Sequence, residues 1–167
     1  MKKYLSVILT ALLLISIPAA GWCETENQTA NQHREIEASV NLFYDSVEQY
    51  DAEAFLGVLT PEVAQNVRDG HYEENEIYDV ANIVIMGSED PEDMPVFSFK
   101  NRNITIQEQT ENTAVAIFQA DIVLDEHDPE NMITTTTADT LRLNLVDGRW
   151  LISSLSTDGP TEQEPIE

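Results

Sequence analysis

The chain reads as an α+β domain, with N-terminal helices packed on a mainly antiparallel sheet. Three observations lead there. Apolar residues in the first half of the domain recur at helical spacing. From Pro95 onward they alternate as in strands. Near the end, Leu141–Leu155 (LRLNLVDGRWLISSL) places Asp147-Gly148 between two apolar runs, the composition of a two-residue hairpin turn.

The 167 residues suit one domain, and the first of them read as a leader. Lys2 and Lys3 precede an apolar run from Tyr4 to Ala20, and Pro18, Ala19, Ala20 and Gly21 end it with small residues. This is the pattern of a secretory signal peptide, 1–23. The run falls short of the roughly 20 apolar residues of a bilayer span. Cleavage before Trp22 or before Glu24 fits the small residues present. Cys23 raises the question of a lipoprotein, but Trp22 stands where a small residue belongs. The mature protein is therefore expected to be secreted or periplasmic, with no membrane attachment after cleavage.

Residues 24–32 read as a polar, disordered linker. Ile36, Val40, Phe43, Val47 and Tyr50 then mark one face of a helix, with Asp45 and Glu48 on its solvated side. Asp51 is a candidate N-cap for a short second helix carrying Phe55 and Leu59. Thr60-Pro61-Glu62 starts a third, and Gly70 stops it. Residues 72–86 are ambiguous, since the VANIVIM run suits a buried strand or a helix. Residues 87–95 read as a loop. Strands follow over 96–100 and 103–109. Phe97 and Phe99 share one parity, Ile104 and Ile106 the other, so a bulge is expected near Lys100–Asn103. Thr113–Leu124 is apolar on both faces and reads as a central strand. Ile133–Val146 and Arg149–Leu155 complete the sheet. In the terminal hairpin Leu145 should face Trp150 and Leu143 should face Ile152, all on the side covered by the first helix. Arg142, Asn144 and Leu151 take the outer face. The acidic segment 156–167 reads as a mobile tail.

With 31 acidic against 8 basic residues the chain carries a net charge of −23. Nucleic acid is excluded as a partner. Cys23 is the single cysteine, so no disulfide or Cys-based site forms within the domain. The histidines, His33, His71 and His127, show no metal-ligand spacing, and neither SEDPED nor DEHDPEN matches a calcium loop. No metal or cofactor is expected.

The order of elements, with Phe43 and Tyr44 on the first helix, the PVFSFKNRNITIQEQTENTAVAIF hairpin and the Asp-Gly-x-Trp-x-Ile ending, resembles the nuclear-transport-factor-2-like superfamily over about residues 33–155. That superfamily includes polyketide-cyclase-like and ketosteroid-isomerase-like proteins. The resemblance implies a strongly curved, cone-shaped, cystatin-like sheet, and a pocket between sheet and first helix that in some families binds a small apolar ligand. The Tyr and two carboxyl groups of the isomerase-like members have no residue-by-residue counterpart here. Nor does the Asp–His pair of the cyclase-like members.

The pocket candidates are Tyr44, Tyr50, Asp121, Asp139 and Trp150. Asp139 shares parity with Leu141, Leu143 and Leu145, so an unbroken strand points it inward, where burial would perturb its titration. The plainer reading is a strand that bulges before Leu141 and leaves Asp139 in water. Tyr44 and Tyr50 read first as packing residues, and Asp121 as solvated. Trp150 is wall material. The leading expectation is an exported, non-catalytic domain that binds a small ligand or a protein partner. The alternative is a small isomerase, cyclase or hydratase acting on an apolar ligand, with Asp139 or Asp121 as base and Tyr44 as hydrogen-bond donor. A homodimer through the outer sheet face is a third.

Overall fold

The computed structural model describes residues 20–71, 76–124 and 133–158. Most of the expected leader, the acidic loop with His127 and the end of the tail lie outside them. The chain divides into two compact units, Met1–Gln32 and His33–Glu167. The second holds the sheet, the core and the cavities. Among the described residues the order is α1 (Ala20–Glu48), α2 (Ala52–Val58), α3 (Pro61–Arg68), α4 (Glu76–Glu89), a 3₁₀ turn (Pro91–Asp93), then β1 (Phe97–Gln109), β2 (Thr113–Leu124), β3 (Ile133–Val146) and β4 (Arg149–Asp158). The strands form one antiparallel sheet in the order β1-β2-β3-β4. The stretch 24–32, expected to be irregular, is helical; it contains no Gly or Pro, and its Glu, Gln and Ala residues favour helix.

From His33 onward α1 buries Ile36, Val40, Phe43, Tyr44 and Val47, the stripe its spacing marks. Its hydrogen bonds show it crossing the whole sheet. Ser39 donates to the Trp150 carbonyl on β4 at 2.7 Å, Tyr44 reaches Asp139 on β3, and Glu48 accepts the Phe99 backbone N–H on β1. The helix ends in a Schellman arrangement: Tyr50 N–H donates to the Val47 carbonyl and Asp51 N–H to that of Ser46. The left-handed residue that this requires is Tyr50, at φ 51°, where Gly is usual. The helix α3 ends the same way on Gly70, at φ 67°. Asp51 caps α2 by accepting from Ala54 N–H at 3.0 Å.

The ambiguous segment 72–86 resolves as helix from Glu76, because Ile77, Ala81 and Val84 fall on one helical stripe and all are fully buried. That helix continues through Gly87 to Glu89, so the expected loop begins later than its glycine suggested. The β1 register shifts between Lys100 and Asn103, with Asn101 at φ 53°. This is the bulge that the change of parity anticipated. The Asp147-Gly148 turn has φ 50° and 76°, the type I′ signature, and Leu145 faces Trp150 and Leu143 faces Ile152. Beyond Leu155, β4 continues to Asp158, pairing Ser156 and Thr157 with Thr140 and Asp139. Residues 156–158, expected to belong to a mobile tail, are therefore strand.

The core is one cluster between sheet and helices. Trp150, Phe43, Phe55 and Phe118 are its largest fully buried side chains, and each stabilises the fold by about 1.5–3 kcal/mol through the surface it removes from water. Asp45 and Glu48, read as solvated, instead hold Arg102. The guanidinium pairs with Asp45 and, at 2.8 Å, with Glu48. The bulge after Lys100 is what turns Arg102 toward the helix.

Candidate functional site

The core does not fill the space between α1 and the sheet. A cavity of about 380 Å³ remains beside Tyr44, bounded by α1, α4, the sheet and the segment before β1. It falls within the roughly 300–1,000 Å³ of ligand sites. Its wall is apolar, with Val47, Val80, Ile122 and Leu155 among the lining groups, except at one end, where Thr137, Asp139 and Thr157 lie together.

Asp139 is 6% exposed. Both its oxygens accept hydrogen bonds from hydroxyls: Oδ2 from Tyr44 at 2.6 Å and Oδ1 from Thr137 at 2.7 Å. A carboxylate offers about four lone-pair directions, so each oxygen keeps acceptor capacity. Burial, then the Asp139 charge and the bond to it, hold the Tyr44 hydroxyl far above the usual phenol range. Tyr44 is therefore held as a neutral donor. Its ring stacks on Phe118 at a centroid distance of 3.5 Å and meets the Phe43 and Phe99 rings edge-on.

The strand that carries Asp139 pairs with β2 without interruption from Ile133 to Asn144. The bulge expected before Leu141 is absent there. The irregularity of this hairpin sits on the partner strand, after Ile152, so β3 keeps its parity and Asp139 turns inward. Thr157 stands opposite Asp139, and its backbone N–H donates to Glu76 of α4.

Of the other candidates, Tyr50 lines the cavity and donates its hydroxyl to the Pro95 carbonyl at 2.7 Å. Gly87 of α4 lies against its ring, so close that a Cβ there would come within 2.2 Å. Asp121 does not join the site. Its carboxylate accepts from Asn101 and Thr136 on the opposite sheet face, because its parity is that of Val115 and Ile117. Trp150 does not line the cavity either. It is 2% exposed and lies in the core, and its indole Nε1–H has no partner among the described residues. Thr137 and Thr157 were missed by sequence reading; their common signal is position, two residues before Asp139 and directly across from it. A second, more polar cleft of about 450 Å³ runs between Thr60, Asn66 and Ser153. It is larger, yet it holds no buried carboxyl or base. The chemically distinctive space is the one at Asp139. Among the described residues no three His, Cys, Asp or Glu side chains converge as metal ligands do.

No family model matches the chain, and no curated protein matches it. Solved structures do. A nuclear-transport-factor-2-like protein with a cystatin-like fold from Novosphingobium aromaticivorans superposes with a TM-score of 0.59 at 12% identity, covering 86% of this chain and 94% of its own. This chain has the nuclear-transport-factor-2-like fold. A protein of that family from Streptomyces avermitilis, proposed to be a dehydratase, gives a TM-score of 0.51 at 10% identity, over 77% of this chain and 96% of its own. At these identities the likeness is one of nuclear-transport-factor-2-like architecture: helices on a curled, unclosed antiparallel sheet.

Proposed function

We propose that the domain is a small-molecule binder whose ligand is largely apolar and is oriented by one polar group placed at Asp139. The observation that carries this reading is a buried carboxylate at the end of an otherwise apolar cavity of ligand size. In this reading the leader directs export, and binding takes place outside the cytoplasm. Native mass spectrometry of the protein purified from its own host tests both points. The expected spectrum shows a mature chain lacking the leader and a retained small molecule that Asp139→Asn loses. A protein that carries no ligand and whose melting temperature no apolar compound raises would remove the binding reading.

A second reading, proton-transfer catalysis of the isomerase, cyclase or hydratase kind, is favoured by the Tyr44–Asp139 pair itself. The neutral Tyr44 phenol and the Asp139 carboxylate lie 2.6 Å apart, so a ligand oxygen that takes over the phenol proton from Asp139 would meet a hydrogen-bond donor and a freed carboxylate base at one spot. Catalysis predicts that the retained ligand takes up solvent deuterium, with a rate lowered about 10²-fold or more in Asp139→Asn. A ligand that stays unlabelled leaves binding alone.

A further inference from the structure

Resting on the ligand-binding reading, the geometry points to a more specific occupant: we infer that the cavity takes a small organic ammonium, a cationic nitrogen on an apolar body. Three independent features converge on it.

The first is charge. Asp139 is buried, and the salt bridges of Arg102 go to Asp45 and Glu48; among the described residues no Lys, Arg or His forms a salt bridge with Asp139. Its two hydroxyl partners solvate it partially but supply no positive charge. A buried carboxylate is expected to be paired. A neutral hydroxyl on a ligand adds one more hydrogen bond and leaves the charge uncompensated, whereas an ammonium supplies both the bond and the counter-charge.

The second is the wall. Tyr44, Phe99, Phe97 and Tyr50 line the cavity as a continuous run. Each ring meets the next nearly at right angles, at 78°, 89° and 82°, with centroids 4.9, 5.7 and 5.7 Å apart. One Tyr44 face is stacked on Phe118 and the Arg102 guanidinium already lies over the Phe99 ring, so Phe97 and Tyr50 are the rings of the run that these two contacts leave uncovered. Aromatic faces attract cations through the ring quadrupole, and grouped rings are the established means of holding ammonium ligands. A purely aliphatic wall would serve a neutral apolar ligand equally well and lack this property.

The third is the field. With a net charge of −23, the molecule raises the local concentration of cations and lowers that of anions, which favours an ammonium over a carboxylate-bearing ligand at the same site.

The test uses three probes of one shape: benzylammonium, benzyl alcohol and benzoate, titrated into the purified protein at physiological salt. Benzylammonium is expected to bind about tenfold or more tighter than benzyl alcohol, with benzoate weakest. Asp139→Asn, which keeps the side-chain shape, should bring benzylammonium down to the alcohol and leave the alcohol unchanged. Phe97→Leu removes a ring without touching the carboxylate and should weaken the ammonium several-fold relative to the alcohol; it carries the test if Asp139→Asn fails to fold. Equal affinity for ammonium and alcohol, or an ammonium preference that survives Asp139→Asn, overturns the inference and leaves the apolar pocket standing. If none of the three binds, the inference falls, and the ligand-binding reading stands or falls separately on the retained ligand and the melting-temperature shift.

Discussion

Tyr44 on α1 donates its hydroxyl to Asp139 on β3 across 2.6 Å, joining side chains 95 positions apart in the chain inside the space that the fold leaves open. The bond ties helix to sheet and sets the polar end of the cavity.

Tyr44→Phe leaves a buried carboxylate oxygen without its donor. A hydrogen bond to a charged group contributes about 1.5–3 kcal/mol, and the orphaned acceptor adds a desolvation cost. Urea denaturation should therefore show a loss of about 2–3 kcal/mol with an unchanged m-value. A loss below about 0.5 kcal/mol would mean that water replaces the hydroxyl freely.

The same pair sets an alkaline limit. The folded state raises the Tyr44 pKa above its ordinary 10.0, so the unfolded chain releases this proton first. The contribution is complete below about pH 10 and is lost as pH rises above it, by up to about 1.4 kcal/mol per pH unit. Denaturation at pH 9 and pH 11 should show a steeper decline for the parent than for Tyr44→Phe; parallel declines refute the assignment.

Arg102 secures β1 against α1. Arg102→Met removes its pairs with Asp45 and Glu48 and its place over the Phe99 ring. Asp45 is 44% exposed, so solvent screening keeps the cost modest, about 1 kcal/mol. Because these are ion pairs, the difference between parent and variant should shrink when denaturation is repeated in 1 M salt; a difference that persists would mark packing of the side-chain stem instead.

Gly87 admits the Tyr50 ring. Gly87→Ala places a Cβ where that ring now lies, and overpacking of this kind costs about 1–3 kcal/mol. In a Tyr50→Ala background the same change should be nearly neutral. A double-mutant cycle measures the coupling, and additive effects would show that α4 and the helix C-terminus do not meet through this contact.

Several features of the fold follow from local chemistry, and these were legible in the sequence. The α1 stripe, the Asp51 cap, the Gly70 stop, the parity change before Asn103 and the Asp147-Gly148 turn each depend on residues within a few positions of one another. The 72–86 segment was not legible, because a short apolar run satisfies helix and strand alike until neighbours choose. Asp45 and Glu48 illustrate the same limit: their position on the helix wheel says solvent, and only the arrival of Arg102 on a bulged strand makes them partners.

The candidate site divides along the same line. The residue pattern alone sets the parity of β3, and with it that Asp139 faces inward on any unbroken strand, while Asp121 has the parity of the opposite face. Whether the strand is unbroken depends on cross-strand register, and the extra residue of the hairpin was accommodated in β4, after Ile152, leaving β3 regular. That Tyr44 reaches this carboxylate, that Thr137 takes its other oxygen, and that the surrounding side chains leave a cavity all depend on how helix and sheet pack. The difference is one of range. Backbone periodicity is set by neighbours a few residues apart, whereas the space left between a helix and a sheet is the small difference between two large packed surfaces.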